Sequence, residues 1–187
     1  MTERLFLQPP DLVEVQGPLI FLAGPIQDAP DWQETAKTHI HELDPAIAVA
    51  SPRKIYTKGA FVYEKQVDWE THSLRRAGEE GVIAFWLAAQ EQKRLSIHAR
   101  LGAMATLLIK GTLPLPRAYA QTSRFELGEW KKNHEYEWTH LTIGIEEGFG
   151  NARYIRRRFS QGCPDVKIAD SLSEMCQNAV DLVHLSN

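Results

Sequence analysis

Glu126, in the run Thr122-Ser123-Arg124-Phe125-Glu126-Leu127-Gly128-Glu129, is the residue whose type and setting best suit covalent chemistry. An ionised carboxylate at the ligand edge of a parallel sheet can attack an anomeric carbon, as a glycosyl-transferring nucleophile must. The same glutamate completes Ser123-x-x-Glu126, the spacing of a capping box in which serine and glutamate satisfy free N–H groups at a helix start. A first-turn glutamate is also held ionised by the helix dipole. Spacing alone leaves cap and nucleophile both open. Gln66 and Glu70 lie four apart on one helical face, with Trp69 beside them, and read either as an exposed polar stripe or as groups facing a site. Gly24-Pro25 follows an apolar run and would let backbone N–H groups approach a ligand, whereas the glycine-rich phosphate fingerprints are absent. That absence argues against a dinucleotide-binding Rossmann site and against a P-loop. The turn Gly148-Phe149-Gly150-Asn151 is either an anion site or a plain loop.

These residues need elements to hold them. Leu19–Ala23 is a short apolar run closed by Gly24-Pro25, which is how a buried parallel strand reads. Residues 31–43 are predicted helical, with Trp32, Ala36, Ile40 and Leu43 inward and Asp31 as cap. Residues 46–50 form a second strand, closed by Ser51-Pro52-Arg53. A helix over 64–77 directs Val67, Leu74 and Ala77 to the core, and 81–86 is a third strand. Thr122 or Ser123 opens a helix to about Lys132, and a strand covers 138–145. Helices at 151–160 and 171–184 flank a short strand near Val166–Ile168. Strands alternating with helices indicate an α/β protein whose parallel sheet is covered on both faces. Ligands then bind at the carboxyl ends of the strands. Residues 1–18 form a lead-in segment. Residues 87–121 interrupt the rhythm as an insertion after the third strand, with an apolar centre at Ala99–Ile109, and are read as a lid, a binding loop or an oligomer contact.

A chain of 187 residues with 43% hydrophobic content suits one domain, 1–187, with one core. With 21 basic and 24 acidic residues there is no cationic excess to announce a nucleic-acid partner. Arg153, Arg156, Arg157 and Arg158 read as a solvated helix face. Cys163 and Cys176 make no disulfide framework, and neither a signal-peptide core nor a membrane span is evident. A cytoplasmic protein without membrane contact is the expectation. His39 and His41 fall on different helical faces and make no metal pair, and neither a metal nor an organic cofactor is expected.

Taken in order, Phe21-Leu22-Ala23-Gly24-Pro25-Ile26, Asp31-Trp32, Ser51-Pro52-Arg53, Gln66-Val67-Asp68-Trp69-Glu70 and Phe125-Glu126-Leu127-Gly128 resemble the nucleoside 2-deoxyribosyltransferase family, closest to its second, bacterial and phage-type branch. The resemblance runs from about residue 19 to 160. It implies a flavodoxin-like doubly wound sheet of five strands, and double displacement in which Glu126 forms a glycosyl-enzyme ester that a second base, or water, resolves. It gives Glu70 the supporting acidic role, sets Gly24 and Pro25 beneath the sugar, and makes Gln66, Trp69 and Trp86 walls of the pocket. Nucleosides or nucleotides and free bases would be the partners, in a homo-oligomer whose subunits complete one another's pockets. Members carry an aspartate about six residues before the nucleophile, where this chain has Ala120; Glu129 is the substitute on offer. Some relatives hydrolyse nucleoside monophosphates, for which Arg53 or Ser123 would hold the phosphate. A nucleotide-binding sensor that keeps the pocket without turnover is the alternative outside enzymes.

Overall fold

The computed structural model describes residues 4–91, 118–137 and 139–186. Most of the proposed insertion, including its apolar centre, lies outside them. The described chain runs β1 (Phe6–Leu7), β2 (Leu19–Ala23), α1 (Trp32–Leu43), β3 (Ala48–Ala50), α2 (Tyr63–Glu80) and β4 (Gly81–Leu87). After the insertion come α3 (Gln121–Glu137), β5 (Leu141–Ile145), α4 (Ala152–Gly162), β6 (Ile168–Ala169) and α5 (Leu172–Ser186).

All neighbouring strands pair in parallel, in the order β1-β3-β2-β4-β5-β6. With β1 set aside, that is the order of flavodoxin-like doubly wound sheets, whose switch point falls between β2 and β4. The central strands are buried along their whole length because helices cover both faces. Their side chains still alternate. Leu19, Phe21, Ala23, Ile83, Phe85 and Leu87 meet Trp69 and Leu74 of α2, Leu127 and Trp130 of α3, and Ile155 and Phe159 of α4. Ile20, Leu22, Val82, Ala84 and Trp86 meet α1 and α5 through Trp32, Ala36, Ile40, Met175 and Ala179.

Among the described residues the sheet has six strands where the sequence suggested five. The extra one, β1, belongs to the lead-in segment and joins the edge of β3, with Val49 and Ser51 donating to the carbonyls of Leu5 and Leu7 at 3.0 Å each. Two residues are too few to show any periodicity. Two expected core residues are corrected as well: Val67 and Leu43 are 38% and 45% exposed. The buried residues of α2 are Trp69, Ser73, Leu74 and Ala77, and Val67, nearer the start of the helix, is left out of them. Asp31 does cap α1, its side chain accepting from Glu34 N–H. None of the described helices is long and apolar enough to cross a membrane.

Candidate functional site

Four segments converge at the carboxyl ends of β2, β3 and β4: the loops after β2 and β3, the adjoining part of α2, and the start of α3. Gly24 sits where β2 leaves the sheet, with φ +149°. A Cβ there would lie 2.2 Å from the Trp86 carbonyl oxygen and 2.9 Å from the Trp32 ring, so only glycine lets the loop pass this close to β4. Pro25 is buried behind it, and its carbonyl accepts from Trp32 Nε1 at 2.9 Å. Arg53 ties the next loop to this one: its Nη1 donates to the Pro30 carbonyl at 3.1 Å, and its Nε lies 3.3 Å from Asp31.

On α2, Gln66 and Glu70 are half-buried at the border of the packed stripe. The Gln66 amide donates to Glu70 Oε1 at 2.7 Å and to the Pro52 carbonyl at 2.9 Å, while its oxygen accepts from the Tyr56 hydroxyl at 2.6 Å. Burial raises the Glu70 carboxyl above its ordinary range, and the Gln66 N–H opposes the rise.

Glu126 approaches from α3, likewise half-buried. Burial first, then the charges of Glu70 and Glu129, push its carboxyl up to about 7. The charge of an ionised Glu70 resists ionisation of Glu126. Two carboxylates from separate helices are thus in electrostatic reach of each other in a partly dry setting.

The capping box is overturned. Helix α3 begins at Gln121, after Ala120 in the left-handed region at φ +57°, and its first turn holds no acidic residue. The Arg124 N–H already bonds the Ala120 carbonyl at 3.0 Å. Ser123 is therefore inside the helix and buried, and Glu126 is in the second turn, where the dipole has faded. Its carboxyl is driven toward protonation rather than held ionised.

Trp69 and Trp86, expected as pocket walls, are almost wholly buried, at 2% and 4% exposed. Trp69 fills the core 6.1 Å from Phe21 and donates to the Asp11 carbonyl. Trp86 points to the opposite face of the sheet, tight against Gly144, where a Cβ would come within 2.3 Å of its ring. Gly24, Pro25 and Arg53 lie in the loops after β2 and β3, Gln66 ties Glu70 to the second of these loops, Glu126 is in electrostatic reach of Glu70, and Ser123 is buried within α3.

Three neighbours escaped sequence reasoning. Tyr56 stands in an aperiodic loop. Tyr119 donates to the Ala88 carbonyl at 2.8 Å, and burial together with the charges of Glu146, Asp28 and Glu91 pushes its hydroxyl up to about 12. Arg124 crosses to the loop after β5, bonding the Gly150 carbonyl at 2.9 Å with its guanidinium 4.4 Å from the Phe149 ring centre. The turn at Gly148–Asn151 thereby anchors α3. The capping motif drew attention to Ser123 and Glu126 and away from the arginine between them.

No family model matches this sequence, and no curated protein is significantly similar to it. Chemistry must therefore be argued from the geometry. A depression of about 380 Å³ lies elsewhere, lined by Asp68, Thr71, His72, Arg75, Arg76 and Glu79. All six are side chains of a single helix, and neither Glu70 nor Glu126 is among them. Among the described residues no cluster of three or more His, Cys, Asp or Glu side chains is placed to hold a metal.

Proposed function

We propose that this protein cleaves the N-glycosidic bond of a 2′-deoxyribonucleoside, or its monophosphate, through a covalent glycosyl-enzyme on Glu126, and passes the sugar to a second base. The observation that carries this reading is the pair of half-buried carboxylates, Glu70 on α2 and Glu126 on α3, at the carboxyl edge of a flavodoxin-ordered sheet. The order of motifs along the chain, from Gly24-Pro25 to Glu126-Leu127-Gly128, supports the same assignment.

In the first half-reaction a Glu126 oxygen attacks C1′. The C1′–N bond breaks, its electron pair stays with the base nitrogen, and that nitrogen takes a proton from solvent water as the base leaves. An ester joins the sugar to Glu126. In the second half-reaction a nitrogen of the incoming base attacks C1′, gives its proton to solvent water, and releases the Glu126 carboxylate. Positive charge builds at C1′ and the ring oxygen in both transition states. The Glu70 carboxylate stabilises that charge without forming a bond. The repulsion between Glu126 and the Glu70 charge is relieved as the sugar becomes cationic beside the two groups.

Incubation with a panel of deoxyribonucleosides and a labelled free base tests the reading. Label recovered in nucleoside establishes exchange, and release of free sugar shows that water resolves the ester instead. Nucleotide bound but unchanged would leave only a sensor. Mass spectrometry should find one deoxyribosyl unit on the wild-type chain and none on Glu126→Ala. Wild-type turnover by Glu126→Ala would overturn the assignment.

A further inference from the structure

The loop between β3 and α2 carries a hydrogen-bonded chain that ends on one of the two carboxylates. Tyr56 donates to the Gln66 oxygen at 2.6 Å, and the Gln66 nitrogen donates to Glu70 Oε1 at 2.7 Å and to the Pro52 carbonyl at 2.9 Å. A glutamine amide has one acceptor and two N–H bonds to give. Here the oxygen and both N–H bonds are engaged, so the amide cannot flip without breaking three contacts. Its N–H is thereby fixed toward Glu70, and a fixed donor favours the charged carboxylate. Tyr56 is itself held: its ring meets Phe61 edge-on at 5.3 Å, and Lys54 Nζ lies 5.8 Å from its centre while bonding the Pro9 carbonyl.

We propose that Tyr56 is a positioning residue that acts through Gln66 to keep Glu70 an ionised hydrogen-bond acceptor at the site. Its catalytic consequence rests on the glycosyl-transfer reading above; its effect on the carboxylates does not. The titratable groups coupled to the Glu70 charge are Glu126 from α3 and Tyr56 from the loop. Burial and the charge of Glu70 both raise the Tyr56 hydroxyl, which places phenol and carboxylate in electrostatic contact and keeps the phenol a donor. An ionised Glu70 is what a cationic sugar requires, and a half-buried carboxyl beside a second one would otherwise tend to hold its proton.

The test is a carboxyl-carbon NMR titration of the full chain carrying ¹³C-labelled glutamate, with Glu70→Gln and Glu126→Gln assigning the two signals. Tyr56→Phe removes one oxygen and keeps the ring; Gln66→Leu removes the donor at similar volume. The Glu70 midpoint should rise by about 0.5–1 pH unit in Tyr56→Phe and by more in Gln66→Leu. The Glu126 midpoint should fall in both, because Glu70 then carries less charge when Glu126 titrates. Opposed movements of this kind are not produced by a general loosening of the fold. An unmoved Glu70 midpoint in Tyr56→Phe overturns the proposal, whether or not Gln66→Leu shifts it. Turnover is scored separately: opposed shifts in a chain that transfers no sugar would uphold the relay and sink the reaction. In an active chain, Tyr56→Phe should lower kcat while KM holds.

Discussion

Replacing Glu126 by glutamine should make the protein more stable at pH 8 and leave it almost unchanged at pH 4.5. Glutamine keeps the size and polarity of the side chain and removes its charge. The folded-state carboxyl titrates at about 7 against an ordinary value of 4.5. Between those values the folded chain binds more protons than the unfolded one, so stability falls as pH rises through the interval. The loss is absent below 4.5 and complete above 7. At 1.36 kcal/mol per pH unit the interval corresponds to about 3 kcal/mol, and partial solvation of a half-buried group brings this to about 2–3. For a chain of this length that is a gain of about 5–10 °C in Tm for Glu126→Gln at pH 8.

The assay is a set of thermal or urea melts of both proteins from pH 4.5 to 8.5, read as the difference between them at each pH, so that other titrating groups cancel. The difference should open through about pH 5–7 and then level off. A difference that stays flat, or a variant less stable than wild type at pH 8, would refute the account. The latter is what a capping glutamate predicts, since removing the cap weakens the helix by about 0.5–2 kcal/mol. One titration thus separates a capping glutamate from a desolvated one.

The same carboxyl should govern turnover: kcat/KM for a deoxyribonucleoside should rise with pH through about 7 and then level off, because only ionised Glu126 attacks C1′. Single-turnover assays on Glu70→Gln should show that limb at lower pH, by less than about one unit because burial outweighs Glu70 among the causes, alongside a reduced maximal rate. Gly24→Ala drives a Cβ into the Trp86 carbonyl and should cost about 3 kcal/mol or more, read as a lower urea midpoint. A near-neutral result would show that the β2–α1 loop has room to move. Cys163 and Cys176 are buried free thiols, and burial pushes Cys176 up to about 12. Neither should react with an aromatic disulfide reagent until the chain is unfolded; rapid native labelling would contradict that burial.

The architecture was legible where apolar runs end abruptly at turn residues. Leu19–Ala23 before Gly24-Pro25 and Gly81–Leu87 after a polar helix end declare buried strands without any neighbour to help. Phe6–Leu7 does not, because an edge pair is defined by the Leu5 and Leu7 carbonyls on β3 and not by its own pattern. The tryptophans expose a different limit. Trp69 and Trp86 sit near one another in the sequence order of the motifs, yet side-chain direction sends one under β2 and the other through to the far face of the sheet. Tyr56 has no sequence signal, since its role exists only once the loop folds back on Gln66.

Glu126 stands later in its helix than the capping spacing suggests. With Ala120 in the left-handed region, α3 starts at Gln121, and more than one turn of helix precedes the glutamate. What directs it is then the buried stripe Ser123, Leu127 and Trp130, which packs α3 on the sheet face that also receives α2. Glu126 precedes Leu127 on the border of that stripe, as Glu70 follows Trp69 on the border of its own. Each carboxylate is partly desolvated because its neighbour is pulled into the core, and each is aimed by a packed helix instead of a loop. Packing therefore supplies both the burial that raises the two groups and the rigidity that keeps them facing. Cutting Leu127 or Trp69 back to alanine would relax the carboxylate pair along with the core, even though neither side chain reaches the site.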